Sequence, residues 1–165
     1  MLTYTYRLNT SIPIHIDESS ELRLGKIKIL WCQLAFLFFE KGTSLTFKYW
    51  SGDLSVRNGH SSYGIKKIKK LAHQANLTID LDGLSLLQVD LNADVKNYVL
   101  QSIHESERCL SPFFYFDVLD EKGNSLCTAQ DFGSSILLVL TVSDLRILVS
   151  DGFDLNFLIS LPEHY

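Results

Sequence analysis

The stretch ESSELRLGKIKILWCQLAFLFFEK, residues 18–41, decides the architecture. It reads in two ways. Ser19, Ser20 and Glu21 offer a helix start, and Glu40-Lys41-Gly42 offers a stop. Leu24, Ile27, Trp31, Leu34, Ala35 and Phe38 then fall on one helical stripe. Against this, Gly25 weakens the middle, and Lys26 to Leu30 alternates like a strand. The cap pattern favours the helix. Beyond Ile29 that helix is apolar almost all round, which predicts a central, buried element.

The flanks read mainly as strands. Residues 2–8 alternate Leu2, Tyr4, Tyr6 and Leu8 with polar neighbours. Ile12, Ile14 and Ile16 alternate around Pro13, which predicts an edge strand there. Leu45, Phe47 and Tyr49 form another strand, ending at Ser51-Gly52. A loop over 57–64 has turn signals at Asn58-Gly59 and Tyr63-Gly64. An amphipathic helix follows over 65–75 on Ile65, Ile68, Leu71, Ala72 and Ala75. Residues 78–82 and 84–91 predict two strands joined at Asp82-Gly83, and Asn92 or Asp94 caps a helix bearing Val95, Tyr98, Val99, Ser102 and Ile103. Residues 113–119 and 125–129 predict a hairpin with its turn at 120–124. The aliphatic run 136–142 predicts a central strand, Ser143 caps a helix over 144–150 that Gly152 stops, and 153–161 alternates as a last strand. Runs of strands with hairpin-length connections and three to four helices predict one α+β domain over 1–165 with a mainly antiparallel sheet.

Composition narrows the function classes. The chain has 165 residues, 46% hydrophobic and 21% charged, so it is too apolar to be disordered. Three cysteines, Cys32, Cys109 and Cys127, are odd in number and irregular in spacing. They make no disulfide scaffold and no zinc knuckle, and predict free thiols in a reducing, cytoplasmic setting. A net charge of −4 disfavours direct nucleic-acid binding. The longest apolar run, 29–39, is short of the roughly 20 residues that span a bilayer. The first residues lack the basic and apolar regions of a secretory signal, so no membrane association is expected, and the sequons at Asn9 and Asn76 read as chance.

No constellation specifies a reaction. The loop Gly59-His60-Ser61-Ser62-Tyr63-Gly64 misses the spacing of a serine elbow by one residue and reads as a turn. His104 and Glu107 are two candidate ligands at a helix end, too few for a catalytic metal. Asp80, Asp82 and Asp90 fail the calcium-loop spacing and read as solvated carboxylates. Phosphate-cradling glycine loops are absent, so no nucleotide cofactor is implied. The expectation is a chain with no catalytic residues, metal or cofactor.

Charge layout is the strongest signal. Residues 54–75 hold Arg57, Lys66, Lys67, Lys69 and Lys70 and no acid. Residues 111–165 hold eight acids and two bases. An acidic surface steers basic partners. The hairpin tip at Asp120 and Glu121, and the loop at Asp131, are the first places to seek a contact.

In size, α+β pattern, acidic C-terminal third and lack of a catalytic motif, the chain resembles small bacterial immunity proteins, of the kind partnered with contact-dependent inhibition toxins or colicin-like nucleases. The resemblance is one of type. It implies a non-enzymatic inhibitor that occludes the active site of a basic partner, such as a nuclease toxin domain. Asp117, Asp120, Glu121 and Asp131 would then form the interface and stand in for the toxin's polyanionic substrate. Two other classes remain open: a small enzyme whose site gathers distant residues, and a subunit of a larger complex. A polar cluster in a deep pocket would favour the enzyme, and a large exposed apolar patch would favour the subunit.

Overall fold

The computed structural model describes residues 3–11, 18–53, 60–107 and 109–162. The strand expected around Pro13, the turn at Asn58-Gly59 and Arg57 lie outside them. In chain order the elements are β1 (Thr3–Leu8), α1 (Glu18–Lys41), β2 (Ser44–Trp50), α2 (Ile65–Leu71), β3 (Ala75–Ile79), β4 (Leu84–Asp90), α3 (Ala93–Glu105), β5 (Tyr115–Leu119), β6 (Ser125–Gln130), β7 (Ser135–Thr141), α4 (Val142–Ser150) and β8 (Leu158–Ser160). The strands form one antiparallel sheet in the order β3-β4-β2-β5-β6-β7-β1-β8. The α+β expectation holds.

Residues 18–41 are helical: the helix already includes Ser19 and Ser20, expected as its cap, and it ends at Lys41 as expected, where Gly42 N donates to the Phe38 carbonyl at 2.8 Å. Register explains the packing. Phe47 sits opposite Phe116, Phe116 opposite Ala129 and Ala129 opposite Ile136, giving one continuous apolar row. That face meets α1, where Trp31 and Phe39 place their rings 6.2 and 6.0 Å from Phe116. The indole Nε1 of Trp31 donates to the Leu110 carbonyl at 2.8 Å. The reverse face carries Thr46, Lys48, Asp117 and Leu137, all half-buried, beside Thr128.

Several boundaries differ from expectation, each for a local reason. Helix α2 stops at Leu71, and β3 begins at Ala75 rather than at 78. The cap of α4 is Thr141 rather than Ser143. Its hydroxyl accepts from Asp144 N at 3.1 Å, and Asp144 Oδ2 accepts from Thr141 N at 2.8 Å, a reciprocal capping box. The expected strand over 153–161 shrinks to Leu158–Ser160, because Asp154 caps a 3-10 turn over Leu155–Phe157. That turn still buries Phe157, so an alternating apolar pattern is satisfied without a strand. Asn92 is the cap of α3, with Oδ1 accepting from Val95 N at 3.0 Å. Gly64 has φ +70, and a Cβ there would meet Phe113 Cε1 at 2.9 Å, so the entry to α2 requires glycine twice over.

Candidate functional site

The four expected interface acids do not converge. Asp120 and Glu121 sit on the β5–β6 turn. Asp131 follows the far end of β6, about 17 Å away along an extended strand. Asp117 lies between them on the reverse face of the sheet, opposite Thr46 and Thr128.

Their environments differ as well. Asp120 organises its own turn. Its Oδ1 accepts from the backbone N–H of Lys122 and of Asn124, both at 2.8 Å, and Oδ2 accepts from Asn124 Nδ2 at 3.0 Å. These bonds, the Asn124 side chain foremost, hold its carboxyl below the usual range, so it stays charged. Glu121 beside it is exposed. Asp117 accepts from Ser125 Oγ at 2.6 Å and Thr128 Oγ1 at 3.2 Å. Burial pushes its pKa up, against the pull of those hydroxyls and of Lys48. Asp131 is exposed and takes a left-handed backbone, φ 47, at the start of a turn whose Phe132 carbonyl accepts from Ser111 N at 3.1 Å.

Two other C-terminal acids are matched by lysines from α1. Lys41 Nζ lies 2.7 Å from Asp144 Oδ2, and Lys26 Nζ lies 2.7 Å from Asp154 Oδ2. The acidity of the C-terminal third is therefore partly cancelled by the N-terminal part of the fold. Among the described residues the C-terminal acids left without an ion pair are Asp117, Asp120, Glu121, Asp131 and Asp151, and two of them, Asp120 and Glu121, adjoin on the hairpin tip beside the exposed Lys122.

The polar groups weighed for chemistry serve the scaffold. Ser61 is buried, its hydroxyl accepting from Trp50 N at 2.8 Å and its N–H donating to Asp53 Oδ2 at 2.8 Å. Asp80 Oδ1 closes the β3–β4 turn by accepting from Asp82 N and Leu84 N at 3.0 and 2.8 Å. Asp90 accepts from Gln74 N at 2.6 Å and Asn92 Nδ2 at 3.0 Å. Among the described residues no three His, Cys, Asp or Glu side chains gather as a metal site, and no helix is long and apolar enough to cross a membrane.

A second feature was not expected. Helix α1 runs between α3 and α4, and its outward stripe is uncovered. Gly25, Ile29, Cys32 and Phe36 of α1, His104 of α3, Ile147 of α4 and Asp151 just past its end line an open groove of about 650 Å³. Ile29 is 65% exposed and Phe36 57%. Gln33 Oε1 is buried at this groove without a hydrogen-bond partner. Burial raises the Cys32 thiol pKa, more than Lys28 lowers it, so the thiol is protonated and packs as a small apolar group. The expected fully buried helix is thus corrected: one face is core, the other is open. Leu22, Ile29 and Phe36 recur every seven residues opposite Trp31 and Phe38, and that was the available signal.

A scan against protein-family models and searches of curated proteins and of solved structures return no match to this chain.

Proposed function

We propose that this chain is a non-enzymatic protein-binding domain that neutralises a basic protein partner, in the manner of the immunity proteins it resembles in type. One observation carries the reading: the Asp120–Glu121 tip of the β5–β6 hairpin. The Asp120 carboxylate orders the turn with three hydrogen bonds, so the tip needs little further ordering on binding. Its lowered pKa keeps the charge at neutral pH. Glu121 extends beside it into solvent. Such a tip attracts and orients arginine or lysine side chains of a partner, including those that would hold a phosphodiester in a nuclease. Asp117, whose carboxylate accepts from Ser125 Oγ just past the turn, and Asp131, at the other end of β6, would flank that contact within an interface of ordinary size, about 800 Å² per partner.

The groove along α1 favours a second reading, a subunit of a larger complex, since Ile29 and Phe36 are more than half exposed on its open side. Affinity capture from source cells with elution by a salt gradient separates the two. Release of a basic protein at high salt supports the neutralising role. Retention of an acidic or apolar partner that salt does not release supports the subunit role and overturns the first.

A further inference from the structure

One concavity of the fold gathers positive charge. His60, Ser62, Gly64, Lys66, Lys67 and Lys70 line a hollow of about 460 Å³. The period of α2 explains the grouping. Lys66 and Lys70 lie four residues apart and Lys67 and Lys70 three, so these side chains share one side of the helix. Ile65 and Ile68 hold the opposite side in the core. Lys69 is turned away from the other three, over the Tyr49 ring at 5.8 Å. The wall formed by the turn over 60–64 is tied to the core. Ser61 is buried and bonded to Trp50 and Asp53. Tyr63 packs edge-on against Phe113 at 5.5 Å, and its N–H donates to the His60 carbonyl at 3.0 Å. His60 Nδ1 and Ser62 Oγ lie 3.0 Å apart.

The fold leaves this charge uncompensated. Lys26, Lys41 and Lys96 each meet a carboxylate, and Lys48 and Lys69 each lie over a tyrosine ring. Lys66, Lys67 and Lys70 are exposed and take part in no ion pair among the described residues. Residues 60–79 contain no aspartate or glutamate. Like charges three and four residues apart on a helix repel. An anion seated among them turns that repulsion into attraction.

The lining narrows the anion. Three cations around one hollow call for more than a single negative charge. A carboxylate brings one, whereas a phosphate ester brings about two at neutral pH. A serine hydroxyl and an imidazole N–H supply hydrogen bonds that phosphate oxygens accept. The volume falls in the range of small-molecule sites, roughly 300–1,000 Å³. The positive charge does not continue as a track for a nucleic-acid strand. Residues 71–95 hold no lysine or arginine, and they do hold Asp80, Asp82, Asp90 and Asp94.

We propose that this hollow binds the phosphate or diphosphate group of a small soluble molecule. Lys66, Lys67 and Lys70 neutralise the group, and His60 and Ser62 hydrogen-bond to it. The site does not rest on the acidic hairpin.

The test is an NMR titration of the ¹⁵N-labelled chain with inorganic pyrophosphate at a constant ionic strength of about 0.15 M. Amides within residues 60–70 shift together and saturate, with a Kd of about 1 mM or tighter. Acetate at the same ionic strength gives no saturating shift. A triple Lys66→Gln, Lys67→Gln, Lys70→Gln variant, changed only at exposed positions and shown to be folded by thermal unfolding, weakens pyrophosphate by about tenfold or more. Lys28→Gln with Lys122→Gln removes two cations from other parts of the surface and leaves the affinity within about twofold, which separates the hollow from an effect of net charge. The proposal is overturned if the 60–70 amides show no saturating shift, if acetate binds as well, if the triple variant binds unchanged, or if the Lys28 and Lys122 changes weaken binding as much. A thymidine oligonucleotide or a glutamate-rich peptide that binds these residues more tightly than pyrophosphate would also overturn it, in favour of a nucleic-acid or protein partner.

Discussion

Replacing Trp31 tests whether α1 is anchored as described. The side chain is fully buried and packs on Phe116 at 6.2 Å. Its Nε1 donates to the Leu110 carbonyl, and Leu110 is itself only 7% exposed. Trp31→Phe keeps an aromatic ring but leaves that carbonyl without its donor, a loss of about 1–3 kcal/mol. Trp31→Ala adds the cavity left by an indole, for about 3–5 kcal/mol in all. Domains of this kind have only about 5–15 kcal/mol of stability, so the alanine variant should fold but unfold well below the parent. Urea unfolding followed by circular dichroism measures both, and the slope with denaturant should stay constant while the midpoint falls. The reasoning is refuted if Trp31→Phe loses less than about 0.5 kcal/mol, the range of surface changes, or if both variants lose the same amount.

Other consequences are equally concrete. Asp144 is buried, which alone would raise its pKa, but bonds from Lys41 and Thr141 outweigh burial and lower it. Its contribution is present above the unfolded carboxylate value of about 3.9 and is lost as pH falls through the lower folded value. Unfolding titrations should therefore show wild type losing stability on acidification below about pH 5 more steeply than Asp144→Asn. Gly64→Ala should destabilise by about 1–3 kcal/mol in thermal or urea unfolding, since it combines a positive φ with a 2.9 Å contact to Phe113. Phe36→Ser should leave unfolding within about 0.5 kcal/mol yet reduce fluorescence of an apolar dye bound in the α1 groove, because the ring is mostly exposed.

Elements that pair or pack over short sequence distances were legible. Alternation at Leu45, Phe47 and Tyr49 and the turn residues at 120–124 mark β2 and the β5–β6 hairpin without tertiary knowledge. Sheet order was not legible, since β2 sits between β4 and β5, and β1 between β7 and β8, through pairings remote in sequence. β3 was misplaced because all five of its residues are exposed at the sheet edge, so burial imposes no alternation on it. At Thr141 and Ser143 two good capping residues compete, and the reciprocal bond with Asp144 decides.

The candidate site was legible only in part. Asp120 and Glu121 stand out as a charged turn, but a segment count of acids cannot reveal that Lys26 and Lys41 reach across to Asp154 and Asp144. The groove escaped notice for a related reason. A helix that is apolar nearly all round does not declare which face the fold leaves open.

The central claim is that the hairpin tip binds a basic protein. Its most direct test is the salt dependence of binding to the captured partner, for wild type and for Asp120→Asn with Glu121→Gln. Asparagine can still accept the turn's two backbone bonds at Oδ1 but gives up the bond from Asn124 Nδ2, so both charges are removed while the backbone of the loop keeps two of its three ties to residue 120. Weaker binding and a shallower salt dependence are predicted for the variant, with circular dichroism confirming that it remains folded. Equal affinity and equal salt dependence would contradict it and move the interface to the groove along α1.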